Sequence, residues 1–411
     1  MAQSPSSSLF QQSQRAPQIP NLNSLRGSRG GGGLRGLARR RGGNVAVSED
    51  ESPQEGHAQA KRDGIIQQTD NDASLSRMAA VEMGYLDDSF AQFFVNGPAP
   101  KRYPIINRGT YVRTTAIDRL VNRFLATRPE LKKQIISLGA GSDTRFFRLC
   151  APDRKNVVYH ELDFDVNTMS KITKIDQIPL LKKNLISTLE NSTSLRINED
   201  RTALYSDTLN VHSIDLRSLA TSSTSSGSIH LPNLDPDLPT LIISECCLCY
   251  IPPESTSAIL SFFLSLLKSA VAIILYEPIR PNDSFGRVMV SNLSSRGIEL
   301  RTVKKYGTLT SQRERLKHAG FAAGQGARSV ESIYYGEQKD GEMWLPDRER
   351  MRVERLEWLD EVEEWRLLAS HYCISWAWRH AVDSNDSSSG IFDVAWEDIK
   401  GDYNSAEDSD E

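Results

Sequence analysis

Long apolar runs are missing from this chain of 411 residues, and so is a cysteine framework. No stretch approaches the ~20 apolar residues that span a bilayer, so no membrane partner is expected. No short apolar segment of the secretory kind is visible, so no secretory leader is expected. The cysteines are Cys150, Cys246, Cys247, Cys249 and Cys373. An odd, sparse set in a chain of this length fits a reducing compartment, and a cytoplasmic location is expected. Acids are missing from residues 1–48, which carry Arg15, Arg26, Arg29, Arg35, Arg39, Arg40 and Arg41. The remainder is therefore acidic, and a nucleic-acid partner for a catalytic domain is not expected. No repeat of about 20–50 residues is present, which excludes an appended propeller or solenoid. Histidine is absent around Cys246-Cys247-Leu248-Cys249. In an apolar, strand-like run, Cys246 and Cys247 would face opposite ways. Buried cysteines are expected there rather than a metal site.

What is present centres on Gln134-Ile-Ile-Ser-Leu-Gly-Ala-Gly-Ser-Asp-Thr-Arg145. The apolar run Ile135, Ile136, Leu138 predicts a buried parallel strand, and Gly139-Ala140-Gly141 a tight turn into a helix. Such a turn lets backbone N–H groups approach a ligand closely at the carboxyl end of a strand. Thr144 stands where a dinucleotide fingerprint has its third glycine. That argues for an adenosyl ligand without a pyrophosphate. A second strand, Val157 to Asp163, ends in an acid about 20 residues after the glycines, where a ribose hydroxyl needs an acceptor.

Strand and helix then alternate. Helices are expected at Ala73–Tyr85, 109–126, 166–175 and 253–267, with strands at 209–214, from 241 and at 271–276. The pattern predicts a doubly wound α/β sheet. A hairpin at 321–330, a charged helix at about 347–369 and a last strand at 372–378 complete the domain. Residues 1–70 and 382–411 have compositions that cannot bury a core and are expected to be disordered tails. The Gly/Arg tract at 26–43 suits a solvated tail, an RNA or phosphate contact, or a transit peptide. The domain is thus expected over 71–381, with 218–238 a surface insertion.

Four strand ends carry polar groups: Gly139 with Gly141, Asp163, Asp215 and Glu245. In a doubly wound sheet these ends line one crevice. A ribose acceptor at Asp163, an adenine reader at Asp215-Leu216 and an ammonium acceptor at Glu245 point to S-adenosylmethionine. Each acid taken singly also reads as a turn residue or helix cap.

On these residues the chain resembles the leucine carboxyl methyltransferases, which methylate the carboxyl-terminal leucine of the protein phosphatase 2A catalytic subunit. The resemblance is carried by Ile106-Asn-Arg-Gly-Thr-Tyr-Val-Arg113, Leu138-Gly-Ala-Gly-Ser-Asp-Thr-Arg145 and Glu161-Leu-Asp163-Phe164. It continues through Ser244-Glu245-Cys246 with Tyr250, and Tyr276-Glu-Pro278 with Asp283-Ser-Phe-Gly286. It covers about 72–378. It implies a seven-stranded, mostly parallel sheet of the S-adenosylmethionine-dependent methyltransferase type, with added N-terminal helices and a C-terminal extension. It also implies cofactor contacts from Arg77, Arg113, Gly139, Asp163, Asp215, Leu216 and Glu245. No catalytic base is expected, because a leucine carboxylate is already ionised at neutral pH. No metal is expected, and a monomer is. For Arg113 a salt bridge on its own helix is the alternative reading, and for Tyr250 a place in the core. Asp143 and Glu277 are candidates for the pocket wall, and Leu248, Ile251 and Phe285 for an apolar socket. Two other functions are compatible with the same residues. One is a related methyltransferase acting on a modified tRNA base or a small carboxylate; the other is a non-catalytic module that kept the sheet.

Overall fold

The computed structural model describes residues 53–402, apart from 96, 150–155, 222–228, 337–343 and 384. The Gly/Arg tract, Cys150, the middle of the expected insertion and the end of the acidic tail lie outside the described residues. Nine strands form one sheet among the described residues. They are β1 (Lys133–Leu138), β2 (Val157–Asp163), β3 (Arg196–Ile197), β4 (Leu204–Tyr205), β5 (Leu209–Ser213), β6 (Thr240–Glu245), β7 (Val271–Pro278), β8 (Gly324–Ser329) and β9 (Tyr372–Arg379). The order is β3-β4-β5-β2-β1-β6-β7-β9-β8. β5, β2, β1, β6 and β7 run parallel, and β9 enters antiparallel between β7 and β8. The fold class is the one expected, a doubly wound α/β sheet. Its seven strands are joined at one edge by the two-residue strands β3 and β4, too short to leave a periodic signal.

Every residue of β1 and β7 is buried, because helices cover both faces. That burial is why β7 opens as a continuous apolar run, Val271 to Leu275, and why β1 carries Ile135, Ile136 and Leu138. The helix α2 (Pro104–Ala126) begins with proline at its first turn and buries Ile117, Leu120, Val121 and Phe124 against the sheet. The Lys133 ammonium donates to the carbonyl of Leu125 in the last turn of α2 at 3.1 Å and to that of Arg128, just beyond the helix, at 2.8 Å.

The expected boundaries at 71 and 381 are corrected at both ends. The helix α1 spans Pro53–Glu82, so its described part begins well before Asn71. A polar sequence forms helix here because tertiary contacts hold it: Asp63 pairs with Arg217, Asp70 with Ser142, and Ala79 and Ala80 are buried. At the other end, Ile391–Ala395 is helical, and Ile391, Phe392 and Trp396 are buried. The Phe392 ring stacks on Phe124 of α2 at 4.8 Å, and the Trp396 indole N–H donates to the Leu120 carbonyl at 3.1 Å. A few aromatics suffice to dock a segment whose average composition reads as disordered. Two smaller expectations also change. Residues 324–329 pair with β9 and make no hairpin of their own. The expected charged helix is two, Asp347–Glu354 and Val362–Ser370.

Candidate functional site

The carboxyl ends of β1, β2, β5 and β6 open onto a cavity of about 500 Å³. It lies where strand order reverses, the usual ligand crevice of such sheets. All seven residues named from the sequence line it: Arg77, Arg113, Gly139, Asp163, Asp215, Leu216 and Glu245. α1 forms the opposite wall, contributing Asp63, Ile66, Asp70, Ala73 and Arg77.

The turn after β1 is built for close approach. Gly139 and Gly141 have φ of 63° and 44°, in the left-handed region that only glycine adopts cheaply. A Cβ on Gly139 would lie 2.6 Å from the Cys247 sulfur, and one on Gly141 2.2 Å from Asp70 Oδ1. Asp163 fastens this turn. Its Oδ2 accepts from the Gly141 N–H at 2.7 Å, and its Oδ1 from the Phe164 N–H at 2.7 Å and the Asn167 amide at 2.9 Å. Burial pushes its carboxyl up, and these three donors pull it back only in part. A carboxylate offers about four acceptor sites, so one remains for a ligand hydroxyl.

Asp215 is less free than its sequence suggests. Arg217 grips it through Nε at 2.9 and 3.0 Å and Nη2 at 2.6 Å, and reaches Asp63 of α1 with its other face. Leu216 is buried and starts the short helix Leu216–Thr221.

At the opposite end the charges interlock. The Arg145 guanidinium opens the short helix α3 (Arg145–Leu149) and is fully buried. It donates to Asp118 Oδ1 at 2.7 Å, Asp143 Oδ2 at 2.6 Å and Glu245 Oε1 at 2.6 Å. Burial alone would raise the Asp118 and Asp143 carboxyls; Arg145 leads the cations that hold both below the usual carboxylate range. Arg113 Nε stands 3.5 Å from Glu245 Oε2 and its guanidinium 5.6 Å over the Tyr276 ring. That buried Nε makes no hydrogen bond among the described residues. Arg77 donates to Asp88 at 3.1 Å and lies 3.9 Å from Asp143.

The open alternatives resolve geometrically. Arg113 faces the cavity and pairs with Glu245, 132 positions along from it, not with its own helix. Tyr250 and Asp143 line the cavity. Glu277 does not: it is sealed with Arg315 at 2.7 Å. Of the expected socket, Ile251 lines the cavity. Leu248 is buried in the core, and Phe285 packs on His371 at 4.5 Å. Their places are taken by Ile105, Val330, Trp365 and Leu368. β6 ends at Glu245, and Cys246 takes φ of 47°, so Cys246 and Cys247 turn along the cavity wall instead of alternating in a strand.

Sequence reasoning missed Asp63, Asp70, Arg145 and Arg217. For the two acids a signal existed: a spacing of seven puts them on one face of a helix, beside Ile66.

The leucine carboxyl methyltransferase family model matches residues 57–264. Leucine carboxyl methyltransferase 1 of Aspergillus fumigatus is 46% identical over 409 residues, covering 94% of this chain and 98% of that protein. The Emericella nidulans protein of the same name is 45% identical, covering 89% of this chain and 94% of its own. The Bos taurus protein is 33% identical over 76% of this chain and 89% of its own.

Proposed function

Because this chain belongs to the leucine carboxyl methyltransferase family, we propose that it methyl-esterifies the carboxyl-terminal leucine of the protein phosphatase 2A catalytic subunit, with S-adenosylmethionine as donor. The observation that carries this reading is the cavity itself, which gathers a glycine turn and the carboxylates Asp163, Asp215 and Glu245 at the strand ends, faced by Arg77 of α1 and Arg113 of α2.

The residues suit the cofactor. Asp163 keeps one acceptor site for a ribose hydroxyl, on the cavity wall beside the turn that Gly139 and Gly141 make. Asp215, with the Leu216 N–H, suits an adenine edge. Glu245 Oε2 suits an ammonium, while Arg113 and Arg77 suit a carboxylate. When bound, the cofactor supplies an electrophilic methyl on a sulfonium.

An α-carboxyl group has a pKa near ~3.5, so the acceptor is ionised at neutral pH and needs no general base. The work left to the protein is alignment and exclusion of water. Alignment of this kind lowers barriers by up to about 7–11 kcal/mol in favourable cases. Tyr276 and Tyr372, stacked at 5.4 Å, with Tyr250 and Trp365, wall the cavity beside Glu245. They offer apolar faces to a leucine side chain and shield a carboxylate from bulk water. Ile105, Val330 and Leu368 supply the rest of the apolar wall.

The test is transfer of radiolabelled methyl onto the purified phosphatase catalytic subunit, read as base-labile ester. Label on the subunit with terminal leucine, and none on a subunit whose terminus is amidated, is the expected result. Label on the amide would sink the carboxylate as acceptor.

A further inference from the structure

We propose that Arg145 is a positioning residue for the cofactor's methionine end, acting through Glu245, Asp143 and Asp118 without touching the ligand. The inference rests on the cofactor reading above. Arg145 does not line the cavity, but each of its three acceptors belongs to an element that does. Glu245 ends β6 and lines the wall directly. Asp143 follows the glycine turn and lines it too. Asp118 sits on α2, the helix that carries Arg113.

The geometry at Glu245 is specific. Arg145 Nη1 takes Oε1 at 2.6 Å, while Oε2 stands 3.5 Å from Arg113 Nε. One oxygen is thereby fixed from behind, and the other is presented to the cavity with acceptor capacity to spare. The same Nη1 holds Asp143 Oδ2 at 2.6 Å, tying the turn to the end of β6. A planar guanidinium does this with fixed angles, which a flexible ammonium cannot reproduce. Arg148 shares Asp118, so α2 stays anchored from a second cation. This redundancy makes Arg145 separable from simple folding: Asp118, Asp143 and Glu245 keep Arg148, Arg77 and Arg113 as neighbours when it is removed.

The experiment uses the full chain. Calorimetric titration of the wild type with S-adenosylmethionine comes first. No binding there overturns the proposed function, and this inference with it. Arg145→Gln is then expected to raise the cofactor Kd and KM at least tenfold, while kcat at saturating cofactor falls less than threefold. A purely structural role would instead lower the melting temperature and the active fraction with KM unchanged. Wild-type binding that Arg145→Gln leaves within twofold therefore overturns this inference alone. Should the glutamine variant not fold, Arg145→Lys carries the test. It keeps the charge and loses the fork, and KM is expected to rise threefold or more; an unchanged KM overturns the proposal.

Discussion

The parallel half of the sheet and its antiparallel end solve the same burial problem with different materials. At the carboxyl ends of β1, β2 and β6, Arg145, Asp118, Asp143 and Glu245 are held in an interlocked set of ion pairs. Around β8 and β9 the cement is aromatic. Trp376 meets Trp344 at 5.3 Å, Trp378 meets Trp396 at 5.6 Å, and Phe392 bridges Trp396 to Phe124. Buried charges gain little net stability and lose much when one partner goes. Aromatic packing gains stability directly from burial. The difference teaches that the antiparallel end is a scaffold, while the ionic end, on the proposed function, is organised for a charged ligand at the cost of stability.

The largest expected effect falls on the scaffold. Trp396→Ala removes a side chain buried to within 2% of its surface, together with its bond to Leu120. A loss of about 3–5 kcal/mol is expected, read as a lower urea midpoint. The cofactor Kd of the folded fraction should stay within twofold. A large change in Kd would dissolve the distinction between scaffold and site.

Next comes the ionic end. Asp163→Ala removes the carboxylate proposed to accept a ribose hydroxyl, and with it the anchor of Gly141. Hydrogen bonds to a charged group contribute about 1.5–3 kcal/mol, so cofactor affinity should fall at least roughly tenfold. The melting temperature is expected to change far less than in Trp396→Ala. Unchanged affinity in a folded protein would remove Asp163 from the site.

How much of this was legible follows the same division. The parallel strands read from the sequence because short apolar clusters mark four of them, as in Ile135-Ile136 of β1 and Leu241-Ile242-Ile243 of β6, while β5 keeps Leu209 and Val211 at alternate positions. The acids at or just beyond β2, β5 and β6 read because a parallel sheet puts all such ends on one edge. Of α1 only the part from Ala73 read as helix; the stretch before Asn71 did not, because it is polar and its contacts, Arg217 and Ser142, are remote in sequence. Arg145 was visible as a residue of the glycine segment, but its partner Glu245 is 100 positions away, and no local rule reports that. In the C-terminal segment, Ile391, Phe392 and Trp396 are diluted by Ser and Asp, so averaged composition hid an anchor.

A smaller effect concerns pH. His160 Nδ1 and His212 Nε2 lie 3.0 Å apart on β2 and β5, inside the parallel half. Burial pushes both rings below their usual value, His212 to about 4. The unfolded chain therefore takes these protons first. Their contribution is whole above ~6.5 and is lost as pH falls toward about 4, by at most ~1.4 kcal/mol per pH unit for each ring. Glu161 runs the other way, since burial raises it to about 7 against the pull of Lys171. Its contribution is whole below ~4.3, the unfolded value, and is lost as pH rises toward about 7. Asp118 and Asp143, held low, matter only below ~3.9. Urea unfolding at pH 6.5 and 4.5 should show a smaller drop in His212→Gln than in the wild type. Equal drops would mean that the histidine pair does not titrate with folding.

The smallest effect is expected where α1 meets the crevice. Asp63 pairs with Arg217 at 2.7 Å, and both side chains are partly exposed, at 17% and 29%. Pairs of this kind contribute about 0.2–1 kcal/mol. The sign for cofactor binding follows from Arg217, which divides its donors between Asp63 and Asp215. Without Asp63 the guanidinium keeps Asp215 as its one carboxylate partner among the described residues, lowering the acceptor strength left for the adenine amino group proposed to bind there, and α1 loses one tether. Both changes weaken binding, so Asp63→Ala should raise the cofactor Kd by roughly 1.5- to fivefold. The difference should shrink in 1 M salt, because a partly exposed ion pair is weakened by screening. Asp70→Ala provides the contrast, since Asp70 holds the Ser142 N–H and hydroxyl at 2.7 Å each against the glycine turn. It should cost more and be less sensitive to salt. If Asp63→Ala matched Asp163→Ala in affinity lost, α1 would belong to the binding site as fully as the strand ends do, and the boundary between the charged crevice and its cover would have to be redrawn.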